Sequence, residues 1–351
     1  MVTIGIKRNG NFDSSDVTAS GVLFFLEDTE MAKNDNLHKA KDAKNDEFYT
    51  RIEDVAEELR HYKKHFAGKI VFCNCDDPTW SAFWRYFHLN FSELGLKKLI
   101  STHYDRTEPT YKMEYEGGDD NNVEVGVKTP LEGNGDFRNA ECIKLLDECD
   151  IVVTNPPFSL FREYVAVLMQ HQKKFLILGN MNALTYKEIF PLIRDNQLWY
   201  GASIHSGDRK FYVPNDYPLK ASGCGVDNNG QKFIRVKGVR WYTNLDYKAR
   251  HEKLVLWKNY TPEEYPKYDN YDAINVNKYS EIPCDYDGIM GVPITFIDYY
   301  CPEQFEVVGL IASAGYLPHL VNIPLTWNKK QACPYVNGQK VYARILIRKS
   351  K

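Results

Sequence analysis

An apolar run at residues 151–154, Ile-Val-Val-Thr, leads directly into Asn155, Pro156, Pro157 and Phe158. Two consecutive prolines fix the backbone, so the Asn155 side chain and the Pro156 carbonyl are aimed in set directions with little entropy left to lose. A rigid pair of acceptors of this kind suits an NH2 group. An amine conjugated to a purine is a poor nucleophile, because its lone pair is delocalised into the ring. Accepting a hydrogen bond from each of its protons shifts electron density back onto nitrogen as it attacks a methyl group. Phe158 would stack on the base once it is turned out of a duplex, offsetting lost stacking by about 1–3 kcal/mol. Taken alone, the tetrad reads equally well as a strand-ending turn, since Asn and Pro are common turn residues. Its place after an apolar strand favours chemistry, because ligands of open α/β sheets bind outside the carboxyl ends of the strands.

Three further segments could serve the same site. Phe48, Tyr49 and Thr50 precede a helix whose exposed backbone amides could meet a cofactor carboxylate, although an N-cap with aromatic packing explains them as well. Asn74, Cys75 and Asp76, followed by Asp77 and Pro78, form the first strand-to-helix crossing, the usual cofactor position, with carboxylates for an ammonium group but without a GxGxxG pattern. Gly133-Asn134-Gly135-Asp136-Phe137 offers a flexible turn, a carboxylate in Asp136 for an adenine amine and a ring in Phe137 for stacking. As a lone string it is more commonly a surface turn. His61, His65, His88, His103 and His205 have no Ser or Cys partner at motif spacing, so nucleophilic catalysis lacks support. The eight cysteines include no CxxC pair, and no metal site is expected.

The elements that must hold these residues follow from periodicity. Thr50 and Glu53 make a capping-box pattern ahead of Ile52, Val55, Ala56 and Leu59. A buried strand is expected at 69–73, a helix at about 81–91, a second strand at 99–102, and an acidic hairpin or loop at 107–128 turning at Gly117-Gly118. Helix, strand, helix and strand follow at 143–146, 151–154, 161–168 and 175–178, and Thr185 and Glu188 suggest another capping box. Strands alternating with helices imply βαβ units and a largely parallel sheet. Past Leu198 strand and turn text takes over; residues 209–213 and 239–244 could pair antiparallel at the sheet edge. Three more strand-like runs lie at 292–297, 305–311 and 341–347.

At 351 residues the chain can bury one large α/β domain and a smaller appended one, and 43% hydrophobic with 26% charged residues excludes wholesale disorder. The net charge of −3 means that nucleic-acid contact must come from a local patch. With no secretory leader and no apolar stretch near the ~20 residues of a membrane helix, a cytoplasmic protein with reduced thiols is expected. Residues 1–30 read as an extension without a part in the chemistry. The polar arm at 33–44 is more often a solvated tail than a phosphate-tracking one.

In order, these segments resemble the EcoRI-type adenine-specific DNA methyltransferase family. NDEFYTR at 45–51 is similar to motif X, FCNCDDP at 72–78 occupies the motif I place, GDF at 135–137 is similar to motif III, and NPPF at 155–158 is the motif IV signature. RKFYVPNDY at 209–217, VRWYTNL at 239–245, GVPITFIDYYCPEQFEVVG at 291–309 and YARILIRK at 342–349 continue the likeness to the C-terminus. The resemblance implies an α/β, Rossmann-like methyltransferase fold, S-adenosyl-L-methionine as methyl donor and a gamma-like motif order. It further implies a catalytic domain over 31–246, a target-recognition region over 247–351, and double-stranded DNA as substrate. Phe211 or Tyr212 would supply a second face for the flipped base. Motif I departs from the pattern in lacking glycines. The second strand ends without an acidic residue, leaving Asp105 as the candidate for the ribose hydroxyls. A cognate restriction endonuclease would be a partner that activity does not require, and the oligomeric state stays open, a monomer being compatible. The rival readings are a methyltransferase on another planar amine, RNA adenine or protein glutamine, and a non-catalytic DNA-binding anti-restriction protein of the same fold.

Overall fold

The computed structural model describes residues 48–105, 108–219, 223–312 and 333–350. The expected extension at 1–30 and the arm at 33–44 lie outside them. The central sheet has the order β4-β3-β2-β1-β5-β6-β11-β7, in which β11 is Val239–Thr243. Its parallel centre is β1 (Ile70–Cys73), β2 (Lys98–Thr102), β5 (Ile151–Thr154) and β6 (Lys174–Asn180). The antiparallel hairpin β3 (Tyr111–Tyr115) and β4 (Val127–Pro130) extends one edge, and β7 (Trp199–Tyr200) lies at the other.

The apolar runs of the central strands are sorted by the pleat. Val71, Leu99, Ile151, Val153 and Leu176 point into one hydrophobic cluster. Phe72, Ile100, Val152, Phe175 and Ile177 point into another. Such two-sided burial is why parallel strands read as continuous hydrophobic text. Helices α1 (Ile52–Leu59) and α2 (Ala82–Leu89), with the short α3 (Phe91–Leu94), cover the first face. Helices α4 (Ala140–Glu148) and α5 (Phe161–Gln170) cover the second. In α5, Phe161, Tyr164, Val165 and Leu168 are the buried positions, the i, i+3, i+4, i+7 stripe of an amphipathic helix. Helix α1 is pinned by Glu58, fully buried, whose carboxylate accepts from the amides of Ala202 and Ser203 at 2.7 Å each and from Tyr62 Oη at 2.8 Å.

Several local expectations are corrected. The Thr50–Glu53 capping box does not form: Arg51 is the N-cap and its side chain makes no capping bond, while Thr50 Oγ1 is buried with no hydrogen-bond partner among the described residues. Thr185 does not cap a helix either. It closes a 3-10 turn by donating to the Asn182 carbonyl at 2.8 Å, and α6 (Phe190–Arg194) starts later with Pro191 in its first turn. Residues 209–213 and 239–244 do not pair. Strand β8 (Asp208–Tyr212) pairs with β10 (Lys232–Lys237), which also holds β9 (Gly225–Val226) in a separate three-stranded sheet. Strand β11 (Val239–Thr243) runs antiparallel to β6. Burial decides this: all five residues of β11 are buried and fit only a sheet interior, whereas β8 buries only Phe211.

The C-terminal part forms the sheet β12-β13-β17-β14, from β12 (Ile274–Asn275), β13 (Met290–Pro293), β14 (Phe305–Ile311) and β17 (Arg344–Lys349), with a small hairpin of β15 (Tyr335–Val336) and β16 (Gln339–Lys340). The strand expected at 292–297 stops at Pro293, and a 3-10 stretch, Ile294–Tyr299, follows. This sheet shares one continuous hydrophobic cluster with α4, α5 and α6. A buried ion pair fastens it further: Arg240 of β11 meets Asp298 at 2.6 Å (Nε to Oδ1) and 3.0 Å (Nη2 to Oδ2), and also donates to the His205 carbonyl. No helix among the described residues is long and apolar enough to cross a membrane.

Candidate active site

Chain order reverses at β1. The chain moves from β1 outward to β2, then returns to place β5 on the other side. Such a switch point leaves a crevice at the carboxyl ends of the strands. A cavity of about 550 Å3 opens there. Its walls come from the segments after β1 (Cys75, Asp76, Asp77, Trp80), after β2 (His103, Tyr104, Asp105), before α4 (Asp136, Phe137, Arg138) and after β5 (Asn155, Pro157, Leu160), with Phe48 and Tyr49 across them.

The strand ends are tied to one another through Asn74. Its side-chain oxygen accepts from Thr102 Oγ1 at 3.0 Å, and its carbonyl accepts from Thr154 Oγ1 at 2.5 Å. Asn74 is therefore buried beneath the cavity rather than lining it. Next to it Cys75 adopts φ 59°, the left-handed conformation that glycine usually supplies. The turn is glycine-like without a glycine. Burial pushes the Cys75 thiol well above its ordinary range, so it stays neutral. Gly135 is at φ 73°, and a Cβ there would sit 2.3 Å from the His103 carbonyl oxygen, so only glycine lets these two loops touch.

The two adjacent acids behave oppositely. Asp76 is 8% exposed, and burial pushes its carboxyl up to about 7 despite a short hydrogen bond from Ser81 Oγ. Burial would raise Asp77 too, but hydrogen bonds from His103, the Thr79 amide and hydroxyl, and Tyr111 outweigh it and hold the carboxyl well below the usual carboxylate range. A raised folded-state pKa makes ionisation cost more in the folded than in the unfolded chain. The resulting penalty is absent below the unfolded value near pH 4, grows up to about pH 7 and is constant above. Asp76→Asn is therefore expected to be more stable than the native chain at pH 8, with the gap shrinking toward pH 5. Urea unfolding at both pH values measures it; a gap that did not change with pH would remove Asp76 ionisation from the account.

At the opposite wall Asn155 Nδ2 donates to the Phe48 carbonyl at 2.7 Å. A carbonyl only accepts, so this bond fixes which way the amide points. Asn155 Oδ1 is left buried with no hydrogen-bond partner among the described residues. Buried acceptors are normally satisfied, and one held open beside a cavity is poised for a donor that arrives with a ligand. Pro156 is buried, and Phe158 sits beside the cavity, edge-on to Phe48 with ring centroids 6.1 Å apart.

Of the residues singled out from sequence, the fold brings Phe48, Tyr49, Cys75, Asp76, Asp105, Asp136, Phe137, Asn155 and Pro157 to one cavity. Thr50, Asn74, Pro156, Phe158, Phe211 and Tyr212 do not line it. Phe211 is 2% exposed and packs on Phe48 at 5.9 Å, with no free face for a base, while Tyr212 pairs its backbone with Tyr49. Phe137 is likewise mostly buried, against Tyr164, and Asp136 is held in a two-pronged ion pair by Arg138. Sequence reasoning missed Trp80, whose ring lies 3.8 Å from that of Tyr49, and passed over His103 for want of a nucleophile. The partner of His103 is Asp77, a pairing that only the β1–β2 register creates.

A family model described as adenine-specific methyltransferase EcoRI matches residues 36–350. The chain belongs to this family. It is an adenine-specific DNA methyltransferase. It is 48% identical over 292 residues to the Type II methyltransferase M.EcoRI of Escherichia coli, covering 79% of this chain and 89% of that protein. It is also 40% identical over 316 residues to the Type II methyltransferase M.MpnI of Mycoplasma pneumoniae, covering 89% of this chain and 97% of the relative. The sheet order and the crevice at the switch point agree with the Rossmann-like fold of such methyltransferases.

Proposed function

We propose that this methyltransferase acts at N6 of an adenine flipped out of double-stranded DNA, with Asn155 Oδ1 and the Pro156 carbonyl as the two acceptors for the amine. The observation that carries the reading is the open, buried Asn155 Oδ1, oriented by the bond from Nδ2 to the Phe48 carbonyl. Accepting from the amine draws its protons away from the ring plane and returns the lone pair to nitrogen. Phe158 offers the base a face to replace the stacking it loses. Pro157 limits backbone motion, so the acceptors need no reorganisation as charge develops.

The cavity fits S-adenosyl-L-methionine. Its volume of about 550 Å3 lies in the ~300–1,000 Å3 range of small-molecule sites, and aromatic rings and carboxylates share the lining. When bound, that group supplies an electrophilic methyl. Asp76 and Asp77 would accept from its ammonium group, Asp105 from its ribose hydroxyls, and Asp136 and Phe137 would face its adenine; Phe48, Tyr49 and the Thr50 backbone close the other side. Residues 31–246 form the catalytic part and 247–351 the target-recognition region in this reading. In this reading the enzyme acts in the cytoplasm of a bacterium or a phage-infected cell, with or without a cognate endonuclease.

Sequencing that detects modified bases, applied to DNA from cells expressing the protein, tests the proposal. N6-methyladenine in one recurring context is the expected result. Methyl label found only on RNA or protein would overturn it.

A further inference from the structure

We propose that the outer face of the three-stranded sheet β8-β10-β9 is a docking surface for the phosphodiester backbone of the DNA that flanks the target adenine. The inference rests on the chain's being a DNA methyltransferase and places a DNA contact within residues 207–237, upstream of the expected recognition region.

The two faces of this sheet differ in kind. Paired residues of an antiparallel ladder share a face, and alternate pairs share the same one. Phe211 and Ile234 are a pair, and both are buried in the cluster that also contains Phe48. The pairs on the opposite face are Tyr212 with Phe233, Lys210 with Arg235, and Asp208 with Lys237. That face therefore carries two aromatic rings followed by three cations and one acid: Arg235 and Lys237 are exposed, and Arg235 Nη1 meets Asp208 Oδ1 at 3.1 Å, leaving Lys237 beside the pair. Lys210 Nζ lies 4.3 Å from the Phe233 ring centroid and 4.8 Å from that of Tyr212, so the rings steady an ammonium that also meets Asp227 at 3.5 Å.

Charge identifies the occupant. The outward-facing pairs carry three cations, Lys210, Arg235 and Lys237, against one acid, Asp208, a local positive excess within a chain of net charge −3. A compact basic patch with aromatic neighbours on an otherwise acidic protein suits a polyanion, and DNA is the polyanion this enzyme handles.

Geometry connects the patch to the chemistry. At its aromatic end, Tyr212 exchanges backbone hydrogen bonds with Tyr49 of 2.9 and 3.0 Å. Residue 48, one position earlier, supplies the carbonyl that orients Asn155. A phosphate held on Arg235 or Lys237 is thus fixed in distance from the open Asn155 oxygen by a short path through paired backbone. Phosphate contacts of this kind set register rather than read sequence.

The test is the salt dependence of duplex binding, compared for the native chain, the double variant Arg235→Gln/Lys237→Gln, and Lys63→Gln. Lys63 precedes β1, at the end of the sheet away from the cavity, and is an exposed cation paired to Glu93. Each phosphate contact contributes about 0.9 to the slope of log affinity against log salt. The double variant should lose about 1.8 from that slope while S-adenosylmethionine binding stays native, and Lys63→Gln should retain the native slope. A native slope in the double variant, or an equal loss in Lys63→Gln, would overturn the proposal. Native turnover on the same duplex reports separately on the catalytic reading.

Discussion

Replacing Asn155 with alanine is expected to slow methyl transfer about 10²–10³-fold, equivalent to about 2.7–4 kcal/mol of barrier, the usual cost of losing one preorganised group that stabilises developing charge. The side chain does two jobs. Nδ2 anchors it to the Phe48 carbonyl, and Oδ1 stays open and buried. Alanine removes the acceptor while leaving Pro156, Pro157 and the cavity walls in place, so the loss should fall on the chemical step. Single-turnover methylation of duplex DNA measures it, with cofactor and DNA affinity followed in parallel and expected to stay within a few-fold of native. A native rate would discard Asn155 as an acceptor; a loss confined to cofactor affinity would assign it to binding instead.

Arg240→Ala is expected to destabilise the fold by about 3–5 kcal/mol, since removing one partner leaves a buried charge uncompensated. The side chains of Arg240 and Asp298 are 3% and 1% exposed, and among the described residues no other cation sits as close to Asp298. His205, which also approaches it, is 3.9 Å away and 36% exposed. The pair links β11 of the central sheet to the segment before β14, so its loss should also loosen the C-terminal sheet from the catalytic half. Equilibrium unfolding in urea reads the stability. Replacing both partners with apolar residues of similar size should restore much of it, because no charge is then stranded. A single variant within about 0.5 kcal/mol of native, the range of ordinary surface substitutions, would show that the pair is dispensable.

The central α/β unit was legible because its signals are local. Four apolar runs separated by helical stripes dictate a parallel sheet, and α5 buries the four residues its 3.6-residue period names. The expected caps failed for a different reason. Thr50 and Thr185 have cap-like neighbours in sequence, but the chain on either side is committed to other contacts: residues 49 and 212 pair as strands, and residues 181–185 close a 3-10 turn. Strand partnership after Leu198 was equally hidden. Text such as VRWYT and RKFYV looks alike, and only competition for the sheet interior separates β11 from β8.

The sequence by itself determined the chemistry on offer: a proline-locked Asn155 at a strand end, acids after the first strand, a glycine-acid-aromatic turn, and an order of segments that resembles one family. These are properties of residue type and spacing, which survive without coordinates. Tertiary structure alone decided which groups meet. It set Asp77 against His103, leaned Trp80 on Tyr49, buried Asn74 beneath the cavity instead of in it, and turned Phe211 inward onto Phe48. It also left Asn155 Oδ1 without a partner, which no sequence can announce. Hydrogen-bond satisfaction depends on atoms brought together from residues 26 to 107 positions apart, and only the packing of β1, β2 and β5 under the 48–49 segment fixes those neighbours.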